Sequence, residues 1–210
     1  MEQASNLKAL KGIGHGFYNA ADSKNVVRPI LLTQVHGAYV IEVDAPRTDM
    51  PKADAWVTAT CALNLTIKTA DCAPVLLADA VNGVIGAVHA GWKGAFQGVI
   101  ENTVLAMLRL GAELPQIKAA VGPCLHFENF EVGADMKALF PVTEHIFFKA
   151  WDGKEHFDFG AYLMYRLHRA GLRSIEFIDA DTYGNPAYHS YRRDKADPGR
   201  QYSVISLTHE

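Results

Sequence analysis

The chain has 210 residues, with 20 Lys plus Arg against 23 Asp plus Glu, a formal charge of −3. That balance excludes a polybasic nucleic-acid binder and an acidic disordered tail, and 49% hydrophobic with 20% charged residues suits a chain that buries a large core. No apolar run reaches the about 18 residues of a membrane span, and MEQASNLKALKGIG carries no stretch of signal-peptide length, so a cytoplasmic, membrane-free protein is expected. Three scattered Cys beside nine His argue against a disulfide framework and leave metal binding or thiol chemistry.

No internal repeat or linker interrupts the chain, and one domain over 1–210 is expected. Residues 29–35 and 39–43 read as strands, followed by a loop carrying Pro46 and Pro51. Residues 55–58, 65–69 and 75–79 are strand-like in their β-branched content. Residues 84–88 form an unbroken apolar run, the pattern of a strand buried on both faces, which stops at His89-Ala90-Gly91-Trp92-Lys93-Gly94. From Phe96 to Leu108 apolar residues recur at helical spacing, predicting one helix closed by Gly111. Residues 117–121 predict a strand ending in Gly122-Pro123-Cys124, 132–140 a short helix, 145–149 a strand, and 159–170 a helix with Gly171 behind it. Late strands follow at 175–178 and 202–207. Consecutive strands mixed with helices point to a mixed α/β fold with antiparallel pairing.

Three candidate ligands stand where predicted strands end: His36, Cys72 and His89. Sites in open sheets are assembled at such ends, and Gly37, Pro74 and Gly91 beside them allow close approach. Two chemistries fit. The three side chains can hold one Zn²⁺ and leave a fourth position for water or substrate. Alternatively, Cys72 is a nucleophile with His89 as its base, as in a thiol hydrolase. A thiol beside Asp71 gains no local help toward its thiolate, whereas a metal deprotonates it directly. The intervals of 36 residues from His36 to Cys72 and 17 from Cys72 to His89 certify neither. A buried structural Cys with two hydrogen-bonded His is the third reading.

Lys93 lies in a loop leading into a helix N-terminus and is a candidate anion contact. Arg192, Arg193 and Arg200, in a predicted loop, are candidates for phosphate. Tyr183, Tyr188 and Tyr191 can flank a ring-shaped substrate, Cys124 with His126 is placed in the pocket wall, and Cys61 in packing.

Taken together, Gln34-Val35-His36-Gly37, Ala53-Asp54-Ala55-Trp56-Val57-Thr58, Thr69-Ala70-Asp71-Cys72-Ala73-Pro74-Val75, Val88-His89-Ala90-Gly91-Trp92-Lys93-Gly94, Gly122-Pro123-Cys124 and Ser190-Tyr191-Arg192-Arg193 through Gly199-Arg200 resemble the motifs of the YfiH family, also called the laccase-domain or multi-copper polyphenol oxidoreductase family. They run in family order from about Gly12 onward. The resemblance implies a single-domain layered α/β/β/α sandwich with mixed β-sheets and a metal site on His36, Cys72 and His89. It further implies phosphorolysis of adenosine, inosine, guanosine and methylthioadenosine, together with adenosine deamination. Asp71 would carry a proton, with Cys72 and His89 at the reacting centre. Gln34, Lys93, Cys124, Arg192, Arg193 and Arg200 would contact nucleoside or phosphate.

The region before the first ligand is shorter than in the family, and Asp181 stands where members often carry a Cys. Some bacterial members are linked to editing of cell-wall precursors, and older descriptions call them copper-dependent polyphenol oxidases. Multi-copper oxidases build their sites from many His in His-x-His pairs; this chain has none, and three ligands fill one site. Mixed His/Cys coordination suits Zn²⁺, with Cu²⁺ a competitor by affinity. The expectation is a zinc enzyme of purine nucleosides, a monomer or weak homodimer. The alternatives are a Cys–His hydrolase, a cell-wall precursor editing enzyme, a copper oxidase and a non-enzymatic metal-binding module.

Overall fold

The computed structural model describes residues 1–196 and 199–208. Among them the strands are β1 (Ile13–Phe17), β2 (Pro29–Ile30), β3 (Val40–Glu42), β4 (Ala55–Thr58), β5 (Asn64–Thr69), β6 (Ala73–Asp79), β7 (Val84–Ala90), β8 (Lys118–Val121), β9 (Phe148–Trp151), β10 (Lys154–Phe157), β11 (Ser174–Phe177) and β12 (Gln201–Leu207). The helices are α1 (Ser5–Lys8), α2 (Trp92–Gln97), α3 (Val99–Arg109), α4 (Ala134–Ala138), α5 (Phe159–Arg169) and α6 (Tyr191–Asp194). A six-stranded sheet in the order β11-β8-β6-β7-β4-β3 and a four-stranded sheet in the order β1-β12-β5-β2 are joined by a β9-β10 hairpin. Both large sheets are mixed: β11/β8, β3/β4 and β2/β5 are parallel pairs, and the other pairs are antiparallel. The mixed α/β class expected from the sequence is the one observed.

Strand periodicity explains the layering. On β4, β6, β7 and β8 one set of alternate residues (Ala55, Val57, Val75, Leu77, Val88, Val121) packs under α2, α3 and α5. The intervening set (Trp56, Leu76, Ile85, Ala87, Ala120) packs against Leu65, Ile67 and Ile205 of the smaller sheet. Both faces of the central strands are therefore buried, which is why they read as continuous apolar runs. Cys61 lies partly buried against this inter-sheet core, as its neighbours suggested. No helix among the described residues is long and apolar enough to cross a membrane.

Several elements differ from expectation. The helix expected over 96–108 begins earlier and is broken in two by Gly98, whose φ of +96° both ends α2 and starts α3. Gly111 and Gly171 do close α3 and α5 with φ of +99° and +91°. The strand expected over 29–35 is reduced to β2 plus an isolated bridge between Thr33 and Lys52, because the amides at 35–37 are drawn to a side chain instead of a strand. Residues 142–147 form a 3₁₀ turn where a strand was expected from 145: Glu144 and Phe147 are buried while Val142 and Ile146 are exposed, a three-residue period. The Arg-rich stretch expected as a loop forms α6, capped by the Ser190 hydroxyl accepting from the Arg193 amide.

Gly98→Ala should lower stability by about 1–2 kcal/mol, since an L-residue pays a left-handed penalty there. Thermal unfolding checks this through a fall of about 2–8 °C; an unchanged midpoint would show that the helix break does not depend on glycine.

Candidate functional site

The antiparallel register of the central strands builds the floor of the site. β4 pairs with β7 with Ala55 opposite Val88, so Asp54, one residue earlier, lies beside His89, whose amide donates to the Asp54 carbonyl at 2.7 Å. β6 pairs with β7 with Ala73 opposite Ala90, so Cys72 lies against Gly91. A Cβ on Gly91 would stand 3.0 Å from both Cys72 Sγ and His36 Cδ2, so the convergence of these side chains needs a residue without one. His36 arrives from the loop after β2 with φ of +59°.

Asp54, fully buried, ties these pieces together. Its Oδ1 accepts from the His36 amide at 2.9 Å, and its Oδ2 from the amides of Gly37 at 2.7 Å and Val35 at 3.3 Å. The same carboxylate lies 2.8 Å from His89 Nδ1. A carboxylate at this site accepts only, so Nδ1 carries a proton and Nε2 is the ring atom left to face Cys72, where it can ligate once it gives up its own proton. One ligand atom each from His36, Cys72 and His89 lies within 4.8 Å of the others, and the two rings meet edge to face with centroids 4.8 Å apart. Two imidazoles and a thiol around one point, with a carboxylate behind one imidazole, form a donor set that fits a single metal ion.

The charges agree with that arrangement. Burial alone would raise the Cys72 thiol, but the charge of His89 and hydrogen bonds from His36 and His89 outweigh it and bring the thiol down to about 6. His89, disfavoured as a cation by burial, is lifted to about 9 by Cys72 and Asp54. Burial likewise opposes ionisation of Asp54, yet the bonds from His89 and from the Gly37 and His36 amides hold it below the ordinary carboxylate range. Cys72 draws this help not from its sequence neighbours but from two imidazoles distant in sequence. The adjacent Asp71 carboxylate instead accepts from the Thr182 hydroxyl at 2.7 Å and the Arg192 amide at 2.6 Å.

The triad opens into a cavity of about 900 Å³ that is also lined by Lys68, Lys93, Arg192 and Arg200, and by the apolar Leu32, Trp92, Leu125 and Phe130. Of the residues expected at the site, His36, Asp71, Cys72, His89, Gln34, Lys93, Arg192, Arg200 and Tyr191 line it. Gln34 does so with its amide committed to β5, donating to the Lys68 carbonyl and accepting from the Lys68 amide. Cys124 and Arg193 are not in the wall. Cys124 is fully buried, with its neighbour Leu125 on the wall instead, and burial with the nearby Asp181, Cys72 and Asp71 charges pushes its thiol up, away from reactivity. Arg193 is a clamp: its guanidinium donates to the carbonyls of Thr182, Tyr183 and Tyr188 and to Asp194. Tyr188 is buried, and Tyr183 borders a separate depression. Asp181 gathers the His126, Tyr183 and Gly184 amides and the Asn129 side chain, which organises the late loop. Asp54 had no assigned role in the sequence reading; an acidic residue directly before the fully buried strand β4 is the signal that could have found it.

Asp54→Asn keeps the volume but places an amide among N–H donors. It should weaken metal affinity by about 10–100-fold, as other losses behind a ligating imidazole do, measured by competition with a chromophoric chelator. An unchanged affinity would show that Asp54 does not orient the ligands.

Comparison with known proteins identifies the family. Residues 18–208 fit the family described as multi-copper polyphenol oxidoreductase laccase. A Deinococcus radiodurans protein named purine nucleoside phosphorylase is 40% identical over 179 residues, covering 84% of this chain and 69% of that one. A Mycobacterium tuberculosis protein of the same name is 39% identical over 183 residues, covering 85% and 72%. Among solved structures, Neisseria meningitidis protein NMB0706 superposes with a TM-score of 0.80 at 31% identity, over 90% of this chain and 78% of that one. The Bacillus licheniformis protein YfiH gives 0.78 at 26% identity, over 86% and 74%. With its sequence, fold and match over most of its length in agreement, this chain belongs to the multi-copper polyphenol oxidoreductase laccase family, the family of YfiH.

Proposed function

We propose that this protein is a zinc-dependent enzyme of purine nucleosides that transfers the ribose of adenosine, inosine, guanosine or methylthioadenosine from the base to phosphate, and that also deaminates adenosine. The observation that carries the reading is the joining of the His36/Cys72/His89 set, in one cavity, to four cationic side chains. The relatives named purine nucleoside phosphorylase, at about 40% identity, support the substrate class.

In the phosphorolytic step, a phosphate oxygen forms a bond to C1′ of the ribose while the bond from C1′ to the base nitrogen breaks. The base leaves with the electron pair and takes up a proton. Lys93, Arg192 and Arg200 would hold the phosphate, for which a fixed position near C1′ is the main requirement. Asp71, the only carboxylate among the described residues of the wall, has both oxygens hydrogen-bonded and would position the Arg192 segment more than carry a proton. Trp92, Phe130 and Leu125 would cover the base and keep water from the ribose. His36, Cys72 and His89 would hold the metal; when bound it supplies a Lewis acid and lowers the pKa of a coordinated water. The described residues hold one such ligand group, and one site of this composition suits Zn²⁺ over multi-copper chemistry.

A second reading rests on the lowered Cys72 thiol: a metal-free Cys72–His89 hydrolase. Zinc-loaded protein incubated with adenosine and phosphate should yield adenine, ribose-1-phosphate and inosine by chromatography, with Cys72→Ala at the level of the blank. Chelation should abolish turnover and added zinc restore it. No product above the Cys72→Ala control would overturn the nucleoside reading. Activity that survives chelation but is lost on alkylation of Cys72 would establish the thiol mechanism instead.

A further inference from the structure

Five threonines are buried to 1% exposure or less: Thr58, Thr66, Thr69, Thr103 and Thr182. Four have a hydrogen-bond acceptor for the hydroxyl, namely the Val43, Asn64 and Val99 carbonyls and the Asp71 carboxylate. The hydroxyl of Thr69 has none. A buried hydroxyl without a partner costs about 1–3 kcal/mol, and such costs concentrate where a group awaits a ligand.

Thr69 is the last residue of β5 and lines the cavity that holds the metal ligands. The two side-chain amides nearest it are turned to other partners. Gln201, opposite it on β12, has its amide oxygen on the His189 amide and its amide nitrogen on the His189 carbonyl. Gln34 has both ends on the Lys68 backbone. Two cations flank the position along the strands: Lys68 before Thr69, and Arg200 before Gln201, both on the cavity wall. A hydroxyl donor on the wall of a cavity lined by Lys68, Lys93, Arg192 and Arg200 is the chemistry that recognises an oxyanion, because a charged acceptor gives a stronger bond than a neutral one.

We infer that Thr69 is a binding residue for the phosphate co-substrate, donating its hydroxyl proton in a hydrogen bond to a phosphate oxygen in the cavity that Lys68, Lys93, Arg192 and Arg200 line. This rests on the phosphorolytic reading for its biological sense, although phosphate binding can be read without turnover. Thr69 was quoted in the sequence motif around Cys72 but given no role there, and its hydroxyl is singled out only by the bonding of the other buried threonines.

The test compares zinc-loaded parent, Thr69→Val and Thr69→Ser proteins, titrated with inorganic phosphate by calorimetry and assayed at varied phosphate and varied inosine. Thr69→Val should weaken phosphate binding about 10-fold or more, the loss expected for one hydrogen bond to a charged group, and should leave the KM for inosine within about 2-fold. Thr69→Ser should restore phosphate binding. The melting temperature without phosphate should be unchanged or raised in Thr69→Val, since the variant removes an unpaired buried hydroxyl; a structural hydroxyl would lower it. Phosphate binding by Thr69→Val equal to the parent, equal losses for phosphate and inosine, or no phosphate binding by the parent would each overturn the inference. Phosphate binding lost in Thr69→Val in a protein that turns over no nucleoside would sustain it while contradicting the proposed reaction.

Discussion

One carboxylate organises this molecule's candidate centre. Asp54 is fully buried, accepts three successive amides from residues 35–37 and a bond from the His89 ring, and does so from the position just before β4. A buried carboxylate is stable only if its oxygens are satisfied, and here every donor belongs to, or neighbours, a candidate ligand. The same bonds that solvate Asp54 turn the chain at His36, set the tautomer of His89 and hold the two rings together. The left-handed backbone at His36 follows from this capture, and such strain persists only where the surroundings over-determine it.

The sheet makes the constraint precise in space. Because β4, β6 and β7 are buried on both faces, slipping one strand by a residue would turn its apolar set toward the wrong layer. Register is therefore held by the whole core, and the placement of Asp54, Cys72 and His89 at one end of adjacent strands is inherited from it. Gly91 completes the arrangement at the point where a side chain would collide with the thiol and the first imidazole. The core thus fixes positions for a site whose own charges are costly to bury, and the cationic cavity above supplies the complementary field.

Legibility from sequence followed the range of the interactions. β7 and α5 were clear, because a continuous apolar run and a helical stripe are local patterns. The ligand types were visible at strand ends, but their meeting was not, since 36 and 17 residues separate them and residue spacing carries no register. Asp54 was missed for the same reason: its partners lie 18 and 35 residues away. The stripe from Phe96 to Leu108 reads as one helix, and only the positive φ of Gly98 reveals the break. Arg193 and Cys124 have side-chain chemistry suited to a site, and packing alone decides that one clamps carbonyls and the other is sealed in the core.

The central claim is that His36, Cys72 and His89 share one metal ion. Zinc K-edge X-ray absorption on the stoichiometrically loaded protein reads it directly. The account predicts one sulfur at about 2.3 Å and two imidazole nitrogens at about 2.0–2.1 Å, with the sulfur scatterer gone in Cys72→Ala. A spectrum without sulfur, or one that Cys72→Ala leaves unchanged, would contradict it.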